Sequence, residues 1–92
     1  MKVKVIKFGE ILTSRPAGHE AGLAIKAYFK PPPGERLELD FSGVLAMGPS
    51  WLDEVLTVLE EEYGSEKVVC LPSDNASVLE SVKIIKKQRE PR

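Results

Sequence analysis

A chain of 92 residues with a net charge of −1 can build one hydrophobic core, and it carries no excess charge to attract nucleic acid or a membrane. Its hydrophobic fraction of 42% is ordinary for a soluble protein, and no apolar run approaches the roughly 20 residues that span a bilayer. The single cysteine, Cys70, cannot form an internal disulfide, and the N-terminus lacks the apolar core of a signal peptide. We therefore expect one cytoplasmic domain over residues 1–92, with no nucleic-acid or membrane partner.

The N-terminal segment predicts a strand. Residues 2–8 alternate between charged and apolar side chains with β-branched residues among them, which is typical of a strand. Apolar residues on both faces toward its end favour a strand that is covered on two sides. Residues 11–13 fit either a short second strand or the entry to the next helix.

The first helix is predicted to open at residues 14–18, where Thr13 or Ser14 can cap it and a proline is tolerated in the first turn. Its mainly small apolar face predicts close packing on a neighbouring element. The prolines of residues 31–34 end it. The residues of this face are Ala17, Ala21, Ala24, Ile25 and Tyr28.

The middle of the chain predicts a second strand over residues 37–44 and a helix that begins around Ser50 and ends at Gly64. A third strand follows at residues 67–71, and a last helix begins after a polar capping segment and ends in a basic tail. We expect residues 88–92 to fray. The apolar stripes of the two helices are Leu52, Val55, Leu56, Leu59 and Tyr63, and Val78, Leu79, Val82 and Ile85.

This alternation of strands and helices predicts an α/β domain with right-handed crossovers and a largely parallel sheet. We expect three to four mostly parallel strands and about three helices, in two or three layers. No Ser-His-Asp set, metal cluster or dinucleotide fingerprint is present, and His19 has no ligand at metal spacing. The residues therefore predict a small interaction module that is not an enzyme and has no cofactor.

Ser50 is the leading candidate for a functional residue. A hydroxyl at a helix start is open to phosphorylation, or to anion binding through free backbone N–H groups. The alternative is that Ser50 only caps the helix, with Asp53 three residues later in a weak capping box. Asp53 and Glu54 point about 100° apart on a helix, so we expect that they cannot face one group together. The helix that begins around Ser50 is acidic. Its acidic face is either solvated or a docking surface for a basic partner.

Two further stretches allow more than one interpretation. Ser14, Arg15 and Gly18 are similar to an anion-holding loop, although no Walker-type glycine-lysine pattern supports it. Trp51, in the first turn of a helix, either covers the sheet edge or is an exposed anchor for a partner.

The stretch Asp40-Phe41-Ser42-Gly43-Val44, followed by Ser50 at a helix start, resembles a STAS domain, the fold of the anti-sigma factor antagonists. In that family a strand ends in Asp-(apolar)-Ser-Gly-Val, and an Asp-Ser-Ser-Gly segment follows whose second serine is phosphorylated by an anti-sigma kinase. Gly48, Pro49, Ser50 and Trp51 occupy those four positions here.

Residues 50–54 and 14–18 resemble more closely the STAS-like family of unknown function. That family joins this strand end to a Ser-(aromatic)-(apolar)-Asp-Glu helix start and has a Ser-Arg-x-x-Gly-type loop before the first helix. The resemblance covers roughly residues 9–71. It implies a STAS-like fold and a non-enzymatic regulatory protein-protein interaction module, of the kind that works in signalling or anti-sigma partner switching.

The resemblance implies that a protein partner, for which a kinase-like regulator is one candidate, binds the strand end and the helix start. The chain lacks the family's Asp and first Ser, and Trp51 is bulkier than the family's Gly. These differences remove features that a STAS kinase recognises. The chain is also shorter than a full STAS domain, so an exposed sheet edge invites pairing with a second copy or a partner. The residues implied are Asp40, Ser42, Gly43, Ser50, Trp51, Asp53 and Glu54.

The alternative function is a domain that binds a small ligand, a nucleotide or an anion. It depends on the helix N-termini near Pro16 and Ser50, which we expect at the same carboxyl edge of the sheet.

Overall fold

The computed structural model describes residues 1–89, which form an α/β fold with strands in two small sheets. The predicted fold class is confirmed. Single turns of 3-10 helix occur at Val5–Phe8 and Ser65–Lys67. The elements, in chain order, are β1 (Lys2–Lys4), β2 (Ile11–Leu12), α1 (Arg15–Tyr28), β3 (Leu37–Asp40), β4 (Ala46–Met47), α2 (Pro49–Tyr63), β5 (Val68–Cys70) and α3 (Ala76–Gln88).

All strand pairs in this part of the chain are parallel. The larger sheet has the order β1-β3-β5, with Val3 opposite Leu39 and Leu39 opposite Cys70. The smaller sheet pairs β2 with β4, so the segment after residue 10 is a strand rather than a helix entry. The pairing of β4 was not predicted. The first strand is shorter than predicted, because the chain turns into the 3-10 helix after Lys4.

Burial alternates along β1 and β3 and shows that the larger sheet is covered on one face there. Val3, Leu37 and Leu39 are buried, whereas Lys2 and Lys4 point to the opposite, exposed face. The prediction of a first strand covered on two sides is therefore wrong. The fold has two layers, one of strands and one of helices, and its open face carries charge, as exposed sheet faces do.

Helix α2 is central to the core. Its predicted stripe is buried, except that Tyr63 is half-buried, with its hydroxyl 3.3 Å from the Phe29 carbonyl oxygen. Trp51 and Val58 are buried as well, because α2 contacts α1 on one side and β5 and α3 on the other. No helix of the described residues is long and apolar enough to cross a membrane.

Helix α1 packs closely on α2, as its small residues predict, through a face that includes Ala21 and Ile25 of the predicted stripe. Tyr28 is 82% exposed and Ala17 is also exposed, so the predicted stripe is wrong at both ends. The buried positions are Gly18, Ala21, Gly22 and Ile25. A Cβ atom at Gly18 would lie 2.5 Å from the Trp51 carbonyl oxygen, and one at Gly22 would lie 2.9 Å from the Val58 Cβ. Glycine is therefore required for the two helices to approach this closely.

Helix α3 ends beside α2. Gln88 is the last residue of the helix, and the Arg89 side chain forms ion pairs with Asp53 and Glu60 of α2. The expectation that residues 88–92 fray stays a prediction. Residues 90–92 lie outside the described residues.

We expect Gly18→Ala to lower the free energy of unfolding by about 2 kcal/mol, although alanine favours a helix over glycine by roughly 1 kcal/mol. The added methyl meets backbone atoms of Trp51, so the helices have to separate. Gly22→Ala is the matched control, because its methyl meets only the Val58 side chain. Urea unfolding should show that Val58→Ala partly rescues Gly22→Ala and not Gly18→Ala. Equal rescue of both would contradict the backbone contact.

Candidate functional site

Helices α1 and α2 begin side by side because each follows one strand of the smaller parallel sheet. The Gly48 N–H, just before α2, donates to the Leu12 carbonyl oxygen at 2.8 Å, just before α1. A Cβ atom at Gly48 would lie 3.7 Å from the Thr13 Cα. The two helix N-termini thus lie at the same carboxyl edge, in the arrangement that the sequence predicts.

The N-terminus of α2 has no side-chain cap. Helix α2 starts at Pro49, with Gly48 as the capping residue, so Ser50 is the second helical residue. The interpretation of Ser50 as a cap paired with Asp53 is therefore wrong. Ser50 is half-buried, and its hydroxyl makes no hydrogen bond to another residue within 1–89.

The other two helices of this part of the chain do have side-chain caps. The Ser14 hydroxyl accepts from the Ala17 N–H at 3.1 Å, which confirms one of the two predicted caps of α1. The Asn75 side-chain oxygen accepts from the N–H groups of Ser77, at 2.9 Å, and Val78, at 3.1 Å. Only α2 therefore presents its first backbone N–H groups without a side-chain acceptor.

One guanidinium joins the first turns of α1 and α2. Arg15 Nη1 lies 2.9 Å from Asp53 Oδ2 and 2.8 Å from Glu54 Oε2. The expectation that these two carboxylates cannot face one group is wrong, because Arg15 enters between them from the closely packed neighbouring helix. Arg15 also holds the pKa of the Asp53 carboxyl below its usual range, with a smaller effect from Arg89. We call these three residues, Arg15, Asp53 and Glu54, the ion-pair cluster.

Further bases surround the acidic face of α2. Arg89 Nη2 lies 2.9 Å from Asp53 Oδ1, and Lys26 Nζ lies 3.5 Å from Glu62 Oε2. His19 Nδ1 lies 3.3 Å from Glu54 Oε1. Much of the acidic face is thus paired with bases of α1 and of the end of α3. Neither predicted interpretation, a solvated face or a docking face for a basic partner, describes it fully.

Trp51 and Gly18 contribute to packing. The Trp51 side chain is 1% exposed, so the interpretation as an exposed anchor is wrong. Gly18 faces the Trp51 backbone, and Ser14 and Arg15 are engaged in a cap and in the ion-pair cluster. The predicted anion-holding loop therefore consists of residues that all have contacts within the fold.

Asp40, Ser42 and Gly43 form a turn at the carboxyl end of β3. Asp40 Oδ1 accepts from the Ser42 hydroxyl at 2.7 Å and from the Ser42 N–H at 3.0 Å, and the hydroxyl is the main cause of the lowered pKa of Asp40. Gly43 has a φ of +86°, as the third residue of a type II turn requires, and the Val44 N–H donates to the Phe41 carbonyl oxygen.

This turn lines an open cavity of about 590 Å³ with residues 72–75, which connect β5 to α3. The cavity is lined by residues of the larger sheet's carboxyl edge, and neither Ser50 nor the ion-pair cluster lines it. The structure therefore divides the predicted site residues into two groups, one at each sheet.

Sequence reasoning missed the side chains that link the two groups. The Asn75 amide donates to the carbonyl oxygens of Val44 and Leu45, both at 3.0 Å. The Ser77 hydroxyl accepts from the Met47 N–H at 3.0 Å, and the buried Ser81 hydroxyl donates to the Met47 carbonyl oxygen at 2.9 Å. The start of α3 thus holds the segment that leads into α2. A serine within the apolar stripe of α3 was the available signal, because buried polar groups need partners.

The described residues offer little for metal or thiol chemistry. No three His, Cys, Asp or Glu side chains among residues 1–89 are grouped so as to hold a metal ion. Burial raises the pKa of the Cys70 thiol to about 11, so it is protonated and unreactive at neutral pH.

A family model described as a STAS-like domain of unknown function (DUF4325) matches residues 22–71, just over half of the chain. The chain belongs to this family. The matched segment of this STAS-like domain runs from within α1 to just past β5, and it includes the Asp40 turn and Ser50. Residues 14–18 precede it. Comparisons with curated proteins and with solved structures find no match.

We expect Arg15→Met to raise the pKa of Asp53 toward its ordinary value of 3.8, measured by NMR titration of the carboxyl carbon. The lowered pKa means that Asp53 stabilises the fold above about pH 4 and that this contribution is lost as pH falls through the folded-state pKa. Arg15→Met should therefore weaken this acid dependence. Arg36→Met, on an exposed loop, is the control. An unchanged Asp53 pKa in Arg15→Met would show that Arg89 alone sets it.

We expect Asn75→Ala to lower the free energy of unfolding by about 1–3 kcal/mol, because it removes the cap of α3 and both donors to the Val44 and Leu45 carbonyls. Asn75→Ser keeps a capping oxygen and removes the amide donors. It should recover about 1 kcal/mol of the loss and still accelerate hydrogen exchange of the Leu45 and Ala46 amides. Wild-type exchange in Asn75→Ser would mean that the amide does not hold this segment.

Proposed function

We propose that this STAS-like domain is a non-enzymatic regulatory module of the cytoplasm that binds a protein partner at the adjacent N-termini of α1 and α2. Charge at Ser50 controls that binding. Membership of a STAS-like family supports a regulatory role in general terms, but a fold alone does not specify function, so the proposal depends on the site.

The free hydroxyl of Ser50 at the uncapped start of α2 is the observation that carries the proposal. Ser50 is half-buried, and no side chain accepts from the first N–H groups of its helix. A phosphate at a helix N-terminus is stabilised by these N–H groups and by the helix macrodipole. The same position is the phosphorylatable serine in the STAS domains that this chain resembles.

A phosphate at Ser50 would disturb the ion-pair cluster. Residues three and four apart share a helix face, so Asp53 and Glu54 follow Ser50 on the same side of α2. A phosphate would add negative charge next to both carboxylates and compete with them for Arg15, which is 53% exposed. The charge and the side-chain arrangement that a partner meets would therefore change with phosphorylation.

Exposed apolar side chains beside the helix starts favour a protein over a small ligand. Ile11 is 68% exposed and Leu45 is 63% exposed, on the adjacent strand segments that lead into α1 and α2. The Leu45 N–H donates to the Glu10 carbonyl oxygen at 2.9 Å, which places the two segments next to each other. Large exposed apolar side chains near a polar site are typical of protein-binding surfaces.

The uncapped N-terminus of α2 also supports the alternative function, an anion- or nucleotide-binding domain. A thermal-shift screen with inorganic phosphate and nucleotides separates the two. A ligand at a hundred times its Kd adds about 2.7 kcal/mol of stability, and the alternative requires a shift of that size. Leu45→Asp should leave such a shift intact and abolish protein binding.

We expect Ser50→Asp to weaken partner capture from native lysate at least several-fold relative to wild type, and Ser50→Ala to block phosphorylation seen by intact mass after incubation with ATP. Ser65→Asp, which is exposed beyond the far end of α2, is the matched charge control and should behave as wild type. Trp51→Ala is unsuitable as a probe, because truncating a buried tryptophan costs about 3–5 kcal/mol. Equal capture by wild type, Ser50→Asp and Leu45→Asp would disprove the proposal.

A further inference from the structure

The outer edge of β5 is a second surface, separate from Ser50. Strand β5 is the last strand of the order β1-β3-β5, and no other strand of the described residues pairs with its outer edge. The Leu71 N–H donates to the Leu39 carbonyl oxygen at 2.9 Å. Because backbone groups alternate between the two edges of a strand, those of Val68 and Cys70 point away from β3.

An apolar groove runs beside this edge, between β5 and α3. Its cavity volume is about 430 Å³, and its apolar lining includes Cys70, Leu71 and Val82, with Leu79 at 52% exposure. A second cavity of about 300 Å³ continues it toward α2 and shares Cys70 and Val82. The protonated Cys70 thiol adds a small apolar group to the floor.

The rim of the groove is basic. Lys83 and Lys86 of α3 line it, and its lining contains no carboxylate. Neither lysine forms an ion pair with a carboxylate of residues 1–89, whereas Arg15, Lys26 and Arg89 all do. The basic charge of this surface is therefore available to an external acidic group.

We propose that this surface binds an extended acidic segment of another protein, which adds as a strand to β5. Its backbone would pair with Val68 and Cys70, its apolar side chains would enter the groove, and its carboxylates would bind Lys83 and Lys86. A second copy of the chain fits less well. Pairing of two β5 edges about a twofold axis would bring the lysines of one copy toward those of the other.

The test uses the full chain and a fluorescent seven-residue peptide, Val-Ser-Glu-Ser-Val-Ser-Glu, whose valines and glutamates share one face of a strand. We expect binding in the accessible concentration range, with amide shifts in NMR confined to residues 68–71 and 79–86. The same peptide with lysine in place of glutamate should bind at least about tenfold more weakly, because it meets a basic rim. A fully N-methylated version keeps the side chains, loses the N–H donors and should also bind at least about tenfold more weakly.

A charge-reversed variant of the protein provides the second part of the binding test. Lys83→Glu/Lys86→Glu should weaken binding of the acidic peptide at least about tenfold. Lys30→Glu/Lys87→Glu has the same net charge, changes two exposed residues outside the groove lining and should bind as wild type. Ser50→Asp should also bind as wild type, so this result is independent of the function proposed above.

Three results would overturn the inference. One is equal affinity for the glutamate, lysine and N-methylated peptides, or no binding of any of them. Another is unchanged binding in Lys83→Glu/Lys86→Glu. The third is a concentration-dependent dimer in sedimentation whose interface maps to β5, which would assign the edge to a second copy.

Discussion

The backbone contact between α1 and α2 at Gly18 is the constraint on which the rest of the structure depends. With a Cβ atom there only 2.5 Å from the Trp51 carbonyl oxygen, the helices approach as closely as two backbones can. That approach brings the Arg15 guanidinium within reach of both Asp53 and Glu54. Packing and site geometry therefore have the same origin in a residue with no side chain.

The elements with a local signal could be predicted from the sequence, and those without one could not. The helices have long apolar periodicity and recognisable ends, so their existence and order follow from the residues alone. Strand β4 has two residues and no periodicity, and it exists because β2 lies beside it. Residues 5–8 continue the alternation of a strand, but the chain there forms a 3-10 turn that leads to Gly9, whose φ is +133°.

The candidate site shows the same limit. Ser50 and its helix start could be located from spacing and from the family resemblance. On an isolated helix Asp53 and Glu54 do diverge, and only the position of α1 shows that one side chain reaches both. Trp51 follows a serine and a proline at a helix start and could have been exposed, but its side chain is part of the core. The Asn75 amide bonds to residues about 30 positions earlier in the chain, and no local pattern encodes such a contact.

The parallel pairing of every strand described has a consequence for how the chain folds. Lys2 pairs with Glu38, Leu37 with Val68 and Ile11 with Ala46, so each pair joins residues about a third of the chain apart. No hairpin among these residues can nucleate a sheet, and each pairing has to close a long loop first, at an entropic cost. Topologies dominated by such distant contacts fold slowly for their size. The helices, whose hydrogen bonds are local, do not carry this cost.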